Sequence, residues 1–128
     1  MSVLTSCNII AFVATTDPVR AKEFYARVLG LRLVDDQPGA IVFDAHGTML
    51  RIAKVQSLVP APHTVLGWRV LNIAATVDGL AGAGVTFERF PGLDQDERGI
   101  WTSPDGAKIA WFKDPNGNVL SVSEFPVA

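Results

Sequence analysis

The side chains that could carry out chemistry in this chain are few and scattered. There are two histidines, His46 and His63, and one cysteine, Cys7. Both histidines stand beside turn-forming residues, which indicates solvated loops, and two isolated histidines do not complete a metal coordination shell. Cys7 precedes the apolar run "IIAFV" and is predicted to be a small core residue rather than a nucleophile. No Ser-His-Asp or Cys-His arrangement follows from the spacing.

The acidic side chains that could serve as ligands or bases concentrate in predicted turns. Asp94, Asp96 and Glu97 belong to "GLDQDERG", and Asp114 opens "DPNGN". A charge run of this kind is more often a solvated edge than a metal cluster. The same loop could instead attract a cationic ligand.

Three polar residues on predicted strands remain as binding candidates: Arg51, Asn72 and Ser121. An arginine in a cleft can bind a carboxylate or phosphate through two parallel hydrogen bonds. Arg51 lies either in such a cleft or on a solvent face, and a shift of one residue in register decides between the two. Asn72 and Ser121 could hydrogen-bond a ligand or be satisfied by neighbours.

The elements that would position these side chains occur twice along the chain. "CNIIAFVATT" reads as a buried strand, and Asp17 and Pro18 then mark the start of a helix that stops at Gly30. The strands "LRLVD", "AIVFD" and "TMLRIAKV" follow. The order restarts with a strand in "WRVLNIAATV", at most a short helix in "DGLAGAG", and strands in "VTFERF", "IWTS", "AKIAWFK" and "VLSVSEF".

This repetition predicts the fold. "PGAIVFDAHGTMLRIAKV" aligns with "DGAKIAWFKDPNGNVLSVSEF" with small gaps. The expected architecture is α+β: two tandem βαβββ modules that form a curved mixed sheet, a half-barrel, around a cleft with the helices outside. We expect one domain over 1–128, with modules at 1–55 and 68–128 joined by a proline-containing linker at 56–67.

The composition narrows the classes of partner. The net charge of −2 gives no basic field for a nucleic acid, and no apolar run is long enough to span a bilayer. The charged fraction of 19% is below the roughly 25% of typical soluble proteins, which indicates surface buried in a homodimer. A lone cysteine fits a reducing cytoplasm. We therefore expect a cytoplasmic homodimer whose partner is a small molecule, with no nucleic acid and no membrane.

Two phrases within the repeat carry a family resemblance. "Phe-Tyr-x-x-x-Leu-Gly" spans 24–30 and "Asp-Pro-x-Gly-Asn" spans 114–118. In this arrangement the chain, from about Asn8 to Phe125, resembles the vicinal oxygen chelate superfamily of glyoxalase I, extradiol dioxygenases, fosfomycin resistance enzymes and bleomycin-binding proteins. The resemblance implies the two-module fold. It also implies a divalent metal held by His, Glu or Gln from the first and last strands of each half.

Transferred to this sequence, the metal positions of that superfamily lack strong ligands. They fall on Ile10 (or Asn8, if the register shifts by two), Arg51, Asn72 and Ser121. Ile10 has no donor atom, Asn72 and Ser121 are weak neutral donors, and Arg51 is a permanent cation. The resemblance therefore implies a member without the usual metal ligands and without a cofactor.

Aromatic residues supply the remaining binding candidates. They either fill the core or form a flat apolar platform for a ligand; the set is Phe43, Trp68, Trp101, Trp111 and Phe112. Trp68 and Trp101 are favoured for the platform because they lie at strand starts, where the rim of a cleft forms.

The sequence thus predicts a metal-independent small-molecule-binding protein of the glyoxalase/bleomycin-resistance type. Its expected ligand-binding residues are Arg51, Trp68, Asn72, Trp101 and Ser121, and its catalytic residues are unassigned. One alternative is a metal-dependent lyase or dioxygenase whose ligands come from Glu124 or Glu97 with His63. The other is a metal-free isomerase or lyase that uses Arg51 and a loop acid.

Overall fold

Two βαβββ modules make up the chain, as the sequence predicts. The computed structural model describes residues 3–127 and divides into the units Met1–Leu58 and Val59–Ala128. Each unit holds one four-stranded mixed sheet and one helical segment, which confirms the α+β prediction. Among the described residues, no helix has the length and apolar character needed to cross a membrane.

The first module follows the predicted element order. Its elements are β1 (Ile10–Thr15), α1 (Pro18–Glu23) continuing into a π-helical turn (Phe24–Val28), β2 (Arg32–Asp36), β3 (Ala40–Ala45) and β4 (Thr48–Lys54). Asp17 caps α1 by accepting from the Arg20 N–H (3.2 Å). The strand order is β1-β4-β3-β2, with β1 parallel to β4 and the other pairs antiparallel.

The helical segment covers one face of the first sheet. Tyr25 is fully buried, with its ring centroid 6.0 Å from that of Phe43. Phe43 pairs across the sheet with Leu50, so these two side chains share the covered face. The opposite face, called the helix-free face below, therefore carries the alternate residues of each strand.

The second module departs from the prediction in its first half. Its elements are β5 (Thr64–Arg69), α2 (Ile73–Gly82), β6 (Trp101–Thr102), β7 (Lys108–Lys113) and β8 (Val119–Glu124), in the order β5-β8-β7-β6. The strand predicted in "WRVLNIAATV" ends at Arg69, and β5 begins inside the predicted linker. "VTFERF" forms only an isolated bridge, between Phe87 and Phe112, rather than a strand.

Local capping explains why a helix replaces the predicted strand after Arg69. The Asn72 side-chain oxygen accepts from the Ala75 N–H (3.1 Å), and the Glu124 carboxylate accepts from the Ile73 N–H (2.9 Å). Two of the N–H groups that a helix start leaves unpaired are thereby satisfied. The helix that results has ten residues, longer than the short segment expected at "DGLAGAG".

The core of the second module lies on the face of its sheet that α2 covers. Glu124 reaches α2 from this face, which also carries Val122 and Leu120 by strand alternation. Phe112 is fully buried there, with the Trp68 ring stacked at 6.5 Å between centroids and the Phe87 ring at 5.6 Å. This sheet, too, has a helix-free face, and it carries Ser121 and Trp111.

The "Asp-Pro-x-Gly-Asn" phrase builds the turn between β7 and β8. The buried Asp114 carboxylate accepts from the N–H groups of Asn116 (2.9 Å) and Asn118 (3.0 Å) and from the Asn118 side-chain amide (2.8 Å). Gly117 supplies the positive φ of 86° that the turn requires. The phrase therefore has a structural role in fixing the start of β8.

Candidate functional site

Arg51 lies on the helix-free face of the first sheet. Its cross-strand neighbours are Phe12 on β1 and Val42 on β3. The half-buried guanidinium donates from Nη2 to the Gln37 side-chain oxygen (3.2 Å). Within residues 3–127 no carboxylate forms an ion pair with it. The structure thus places Arg51 on the face away from the helix, beside apolar side chains.

The helix-free face of the second sheet carries an aromatic cluster. Trp111 on β7 packs against Phe90 edge-to-face, with ring centroids 5.3 Å apart, and against Trp101 at 6.1 Å. All three rings are partly exposed. Trp111 pairs with Ser121 on β8, and Ser121 pairs with Gly67 on β5, so these three residues form one row across the sheet.

The Ser121 hydroxyl has no hydrogen-bond partner among the described residues. The residue is only 5% exposed, and its hydroxyl makes no hydrogen bond to any residue of 3–127. No fully enclosed side-chain polar atom in that range lacks a partner, so this oxygen reaches the surface. A β-carbon at position 67 would lie 3.1 Å from it. Gly67 therefore leaves the hydroxyl accessible, as glycines inside strands often do where something approaches closely.

A groove of about 380 Å³ adjoins the aromatic cluster and shares Phe90 with it. It is lined by Pro60, Ala61, Pro62, Phe90, Lys113, Gly117 and Val119. The Pro60 ring would lie 3.3 Å from a β-carbon at position 117, so the proline segment packs against the β7–β8 turn. Lys113 at the edge of the groove pairs with Glu88 (3.6 Å).

The sequence-predicted binding residues fall in three places. Ser121 and Trp101 share the helix-free face of the second sheet, and Arg51 lies on the corresponding face of the first sheet. Trp68 lies on the opposite face of its sheet, stacked on Phe112, and Asn72 is the exposed N-cap of α2. Both therefore have structural partners away from the Ser121 face.

Two residues of this face, Gly67 and Phe90, were not predicted as binding residues from the sequence. Trp111 was counted among the aromatic candidates but was not favoured over the others. The signal for Gly67 was present, because a lone glycine inside the alternating run "TVLGWR" marks a close approach in a strand. It was overlooked because this segment was assigned to a linker. Phe90 lies outside any strand, and no local pattern marked it.

Several of the remaining charged groups form ion pairs within one module. Hydrogen bonds from Lys54 (2.7 Å) and Lys22 (3.3 Å) lower the pKa of Asp36 below its usual value. The Arg98 guanidinium lowers the pKa of Asp78 on α2 through two hydrogen bonds of 2.9 and 3.1 Å. The acidic loop "GLDQDERG" is therefore joined to α2 by Arg98.

Comparison with known proteins identifies the family. The profile of the Glyoxalase/Bleomycin resistance protein/Dioxygenase superfamily matches residues 7–122. The chain belongs to this superfamily. No curated protein matched the sequence.

Solved structures of superfamily members share the fold. A member from Sphaerobacter thermophilus DSM 20745 is 22% identical, with a TM-score of 0.73 and coverage of 95% of this chain and 99% of that one. A lactoylglutathione lyase from Agrobacterium tumefaciens is 20% identical (TM-score 0.67, 93% of each chain). A member from Nocardioides is 18% identical (TM-score 0.69, 96% and 87%). At these identities the likeness establishes the fold alone.

The strand register identifies the residues beside Arg51 and Ser121, and their side chains show whether a divalent metal ion could be bound there. Phe12 on β1 pairs with Arg51 on β4, and Gly67 on β5 pairs with Ser121 on β8. Ile10 and Asn72, the positions expected from the motifs, do not stand beside Arg51 and Ser121. Ile10 pairs with Met49 instead, and Asn72 lies beyond the end of β5. In neither module does this pair, a phenyl ring with a cation in the first and a glycine with a hydroxyl in the second, offer the ligands that a divalent metal prefers.

The alternative metal ligands do not come together either. In the described part of the chain, no three His, Cys, Asp or Glu side chains are grouped so that they could hold a metal ion. Glu124 is engaged at the start of α2, whereas Glu97 and His63 are exposed. Cys7, predicted as a core residue, is exposed because β1 begins only at Ile10.

Proposed function

We propose that this superfamily member is a metal-independent small-molecule-binding protein that takes an apolar, aromatic ligand on the helix-free face of its second sheet. The observation that carries the proposal is the Ser121 hydroxyl, which no described residue bonds, beside the cluster of Trp101, Trp111 and Phe90. The rings offer stacking surface, and the hydroxyl offers one oriented hydrogen bond. An apolar lining with few polar groups is typical of small-molecule sites.

The dimensions of this region agree with such a ligand. The adjoining groove of about 380 Å³ falls within the range of roughly 300–1,000 Å³ seen for ligand pockets. Its proline and valine side chains extend the apolar surface beyond the rings. A flat aromatic ring stacked on Trp111 would place a polar substituent toward Ser121, its neighbour across the strands.

The metal-dependent lyase or dioxygenase is the weaker candidate. Its support is membership of the superfamily, but the donor atoms at the four register positions oppose it. The metal-free isomerase or lyase has no assigned acid–base pair, since Asp96 of the acidic loop accepts from the N–H groups of Arg98 and Ile100 (2.9 Å each). Catalytic residues therefore stay unassigned.

Tryptophan fluorescence tests the proposed site. 4-Nitroanisole, a neutral aromatic quencher, should quench the emission saturably and with a measurable Kd. Trp111→Leu should weaken this binding about tenfold or more, because an aromatic anchor at the centre of a site carries much of its affinity. Trp68→Phe is the matched control, because Trp68 lies on the other face of the sheet.

Two results of this titration would contradict the proposal. One is quenching that rises linearly without saturation in the wild-type protein. The other is saturable quenching that Trp68→Phe reduces and Trp111→Leu leaves unchanged. A urea melt of each variant separates loss of binding from loss of fold.

We also propose that the protein is cytoplasmic and forms a homodimer. The single free cysteine supports the cytoplasm, a reducing compartment in which disulfides are rare. The low charged fraction of 19% supports the dimer, as do large apolar side chains such as Val19 and Leu71, which are 80% and 97% exposed. Light scattering at micromolar concentration should give twice the chain mass of 13.7 kDa. A mass of 13.7 kDa would contradict the dimer.

A further inference from the structure

We infer that the groove between α1 and the ends of β2 and β4 binds a small organic phosphate, whose phosphate group is held by Lys22 and Lys54. This groove, called the α1 groove below, has a volume of about 650 Å³ and is lined by residues of the first module only. Most of its lining residues belong to the helical segment, which covers the face opposite the helix-free face. The inference is therefore independent of the proposed function.

The first argument is the charge of the α1 groove. Two lysines share one carboxylate there: Asp36 Oδ1 lies 2.7 Å from Lys54 Nζ, and Asp36 Oδ2 lies 3.3 Å from Lys22 Nζ. Hydrogen bonds from Lys54 and Lys22 lower the pKa of Asp36, so its carboxylate is charged at neutral pH. Glu23, the other acid of the groove, pairs with Arg27. The two lysines and Asp36 therefore leave one positive charge in excess.

The second argument is that both ammonium groups have donors left for a ligand. Each has three N–H donors, and within residues 3–127 each gives one hydrogen bond, to Asp36. A phosphate monoester carries about 1.5–2 negative charges at neutral pH and three acceptor oxygens. Its oxygens are spaced much like those of a carboxylate, so two ammonium groups that reach both oxygens of Asp36 can also reach two oxygens of one phosphate. Because exposed ion pairs contribute little to stability, turning the lysines toward such a ligand costs little.

The third argument concerns the surface beside the lysines. The other lining side chains are aliphatic, namely Pro18, Val19 and Ala26, and none of the described residues that line the groove is aromatic. These small side chains offer contact to a short hydrocarbon body, but they offer no ring on which a ligand could stack. The α1 groove therefore suits an alkyl phosphate better than inorganic phosphate, which would gain nothing from the aliphatic lining.

Calorimetry with three probes at about 0.15 M salt tests the α1 groove. Monobutyl phosphate should bind about tenfold or more tightly than 1-butanol, which lacks the charge. It should also bind about threefold or more tightly than inorganic phosphate, which lacks the hydrocarbon body. In ¹H–¹⁵N spectra monobutyl phosphate should shift the amides of Lys22, Asp36 and Lys54.

Substitutions of the charged groups test which of them binds the phosphate. Lys54→Gln should weaken binding of monobutyl phosphate about fivefold or more, because a charge-assisted hydrogen bond is lost; Lys22→Gln serves if that variant fails to fold. Asp36→Asn should tighten binding about threefold or more, because it removes the anion that competes for both ammonium groups. Arg20→Gln is the control, because Arg20 lies on α1 outside the lining residues and loses the same charge. It should change the affinity by less than about twofold, since salt screens exposed charges.

The inference is overturned if monobutyl phosphate binds no more tightly than 1-butanol or inorganic phosphate, or if Lys54→Gln and Lys22→Gln both bind it as the wild type does. It is also overturned if Asp36→Asn fails to tighten binding, or if Arg20→Gln weakens binding as much as Lys54→Gln does. Quenching by 4-nitroanisole at the second module should be unchanged in Lys54→Gln. Failure of that quenching in the wild type would count against the proposed function alone.

Discussion

Replacing Phe112 with alanine should lower the free energy of unfolding by about 3–5 kcal/mol, the range for deleting a buried phenylalanine. The side chain is 0% exposed and contacts both Trp68 and Phe87 through their rings. It also pairs with Leu120, at the centre of the second sheet. Its loss would leave a cavity that two large rings cannot fill without leaving their own rotamers. Urea denaturation followed by circular dichroism measures the change.

Phe125→Ala is the control for this prediction. Phe125 lies in the same module but is 49% exposed, with the Arg69 guanidinium 5.4 Å from its ring centroid. A cation–π contact at an exposed site contributes about 0.5–1 kcal/mol, so the control should cost no more than that. Equal losses for the two variants would contradict the assignment of Phe112 to the centre of the core.

Replacing Gly67 with leucine should weaken binding of 4-nitroanisole about thirtyfold or more, comparable to the loss of a central contact residue. The β-carbon alone would lie 3.1 Å from the Ser121 oxygen, and the rest of the side chain would cover that oxygen and the edge of Trp111. The variant should still fold, because Gly67 is exposed and its φ is not positive. Leucine in a strand also loses less backbone conformational entropy on folding than glycine does.

Val65→Leu is the matched control for Gly67→Leu. Val65 lies in the same strand and is 40% exposed, and the change adds one methylene at the pairing irregularity, where the strand register gives Val65 no partner on β8. Its affinity should stay within about twofold of the wild type, as expected away from the centre of a site. An unchanged affinity in a folded Gly67→Leu variant would show that the ligand binds elsewhere.

Much of the fold follows from short-range chemistry that the sequence displays. Asp17 and Pro18 start a helix because the first satisfies an N–H and the second needs no partner for its own nitrogen. The "DPNGN" turn is equally local, since Asp114 collects the N–H groups two and four residues later. The repeat then required the same arrangement twice, and both sheets confirm it.

The error at the start of the second module has a clear physical cause. "IAATV" contains β-branched and alanine residues, so its composition suits a strand or a helix. The hydrogen bonds that cap the N-terminus of α2 favour the helix, and one of them comes from Glu124, 51 residues from Ile73. Asn72 was predicted to point into a cleft, yet its side chain is used at a helix end.

The residues that pair across neighbouring strands could not be predicted by counting along the chain from the motifs. The pairing shifts by one residue between Leu33 and Asp35 on β2 and between Thr64 and Leu66 on β5. Such irregularities change which residues share a row, and no sequence pattern marked them here. Gly67, and not Asn72, stands beside Ser121 because β5 spans Thr64–Arg69, earlier in the chain than the predicted strand. Ser121 follows Asn118 of the "DPNGN" turn by three residues and lies in β8, the last strand.

The most direct test of metal-independent binding combines two readings on protein purified without chelator or affinity metal. Plasma mass spectrometry measures the metal content, and the 4-nitroanisole titration is repeated with and without EDTA. The proposed function predicts far less than one metal ion per chain, an unchanged Kd in EDTA, and no rise in melting temperature with Mn²⁺, Ni²⁺, Zn²⁺ or Fe²⁺. A near-stoichiometric metal whose removal abolishes binding would contradict it and would favour the metal-dependent lyase or dioxygenase.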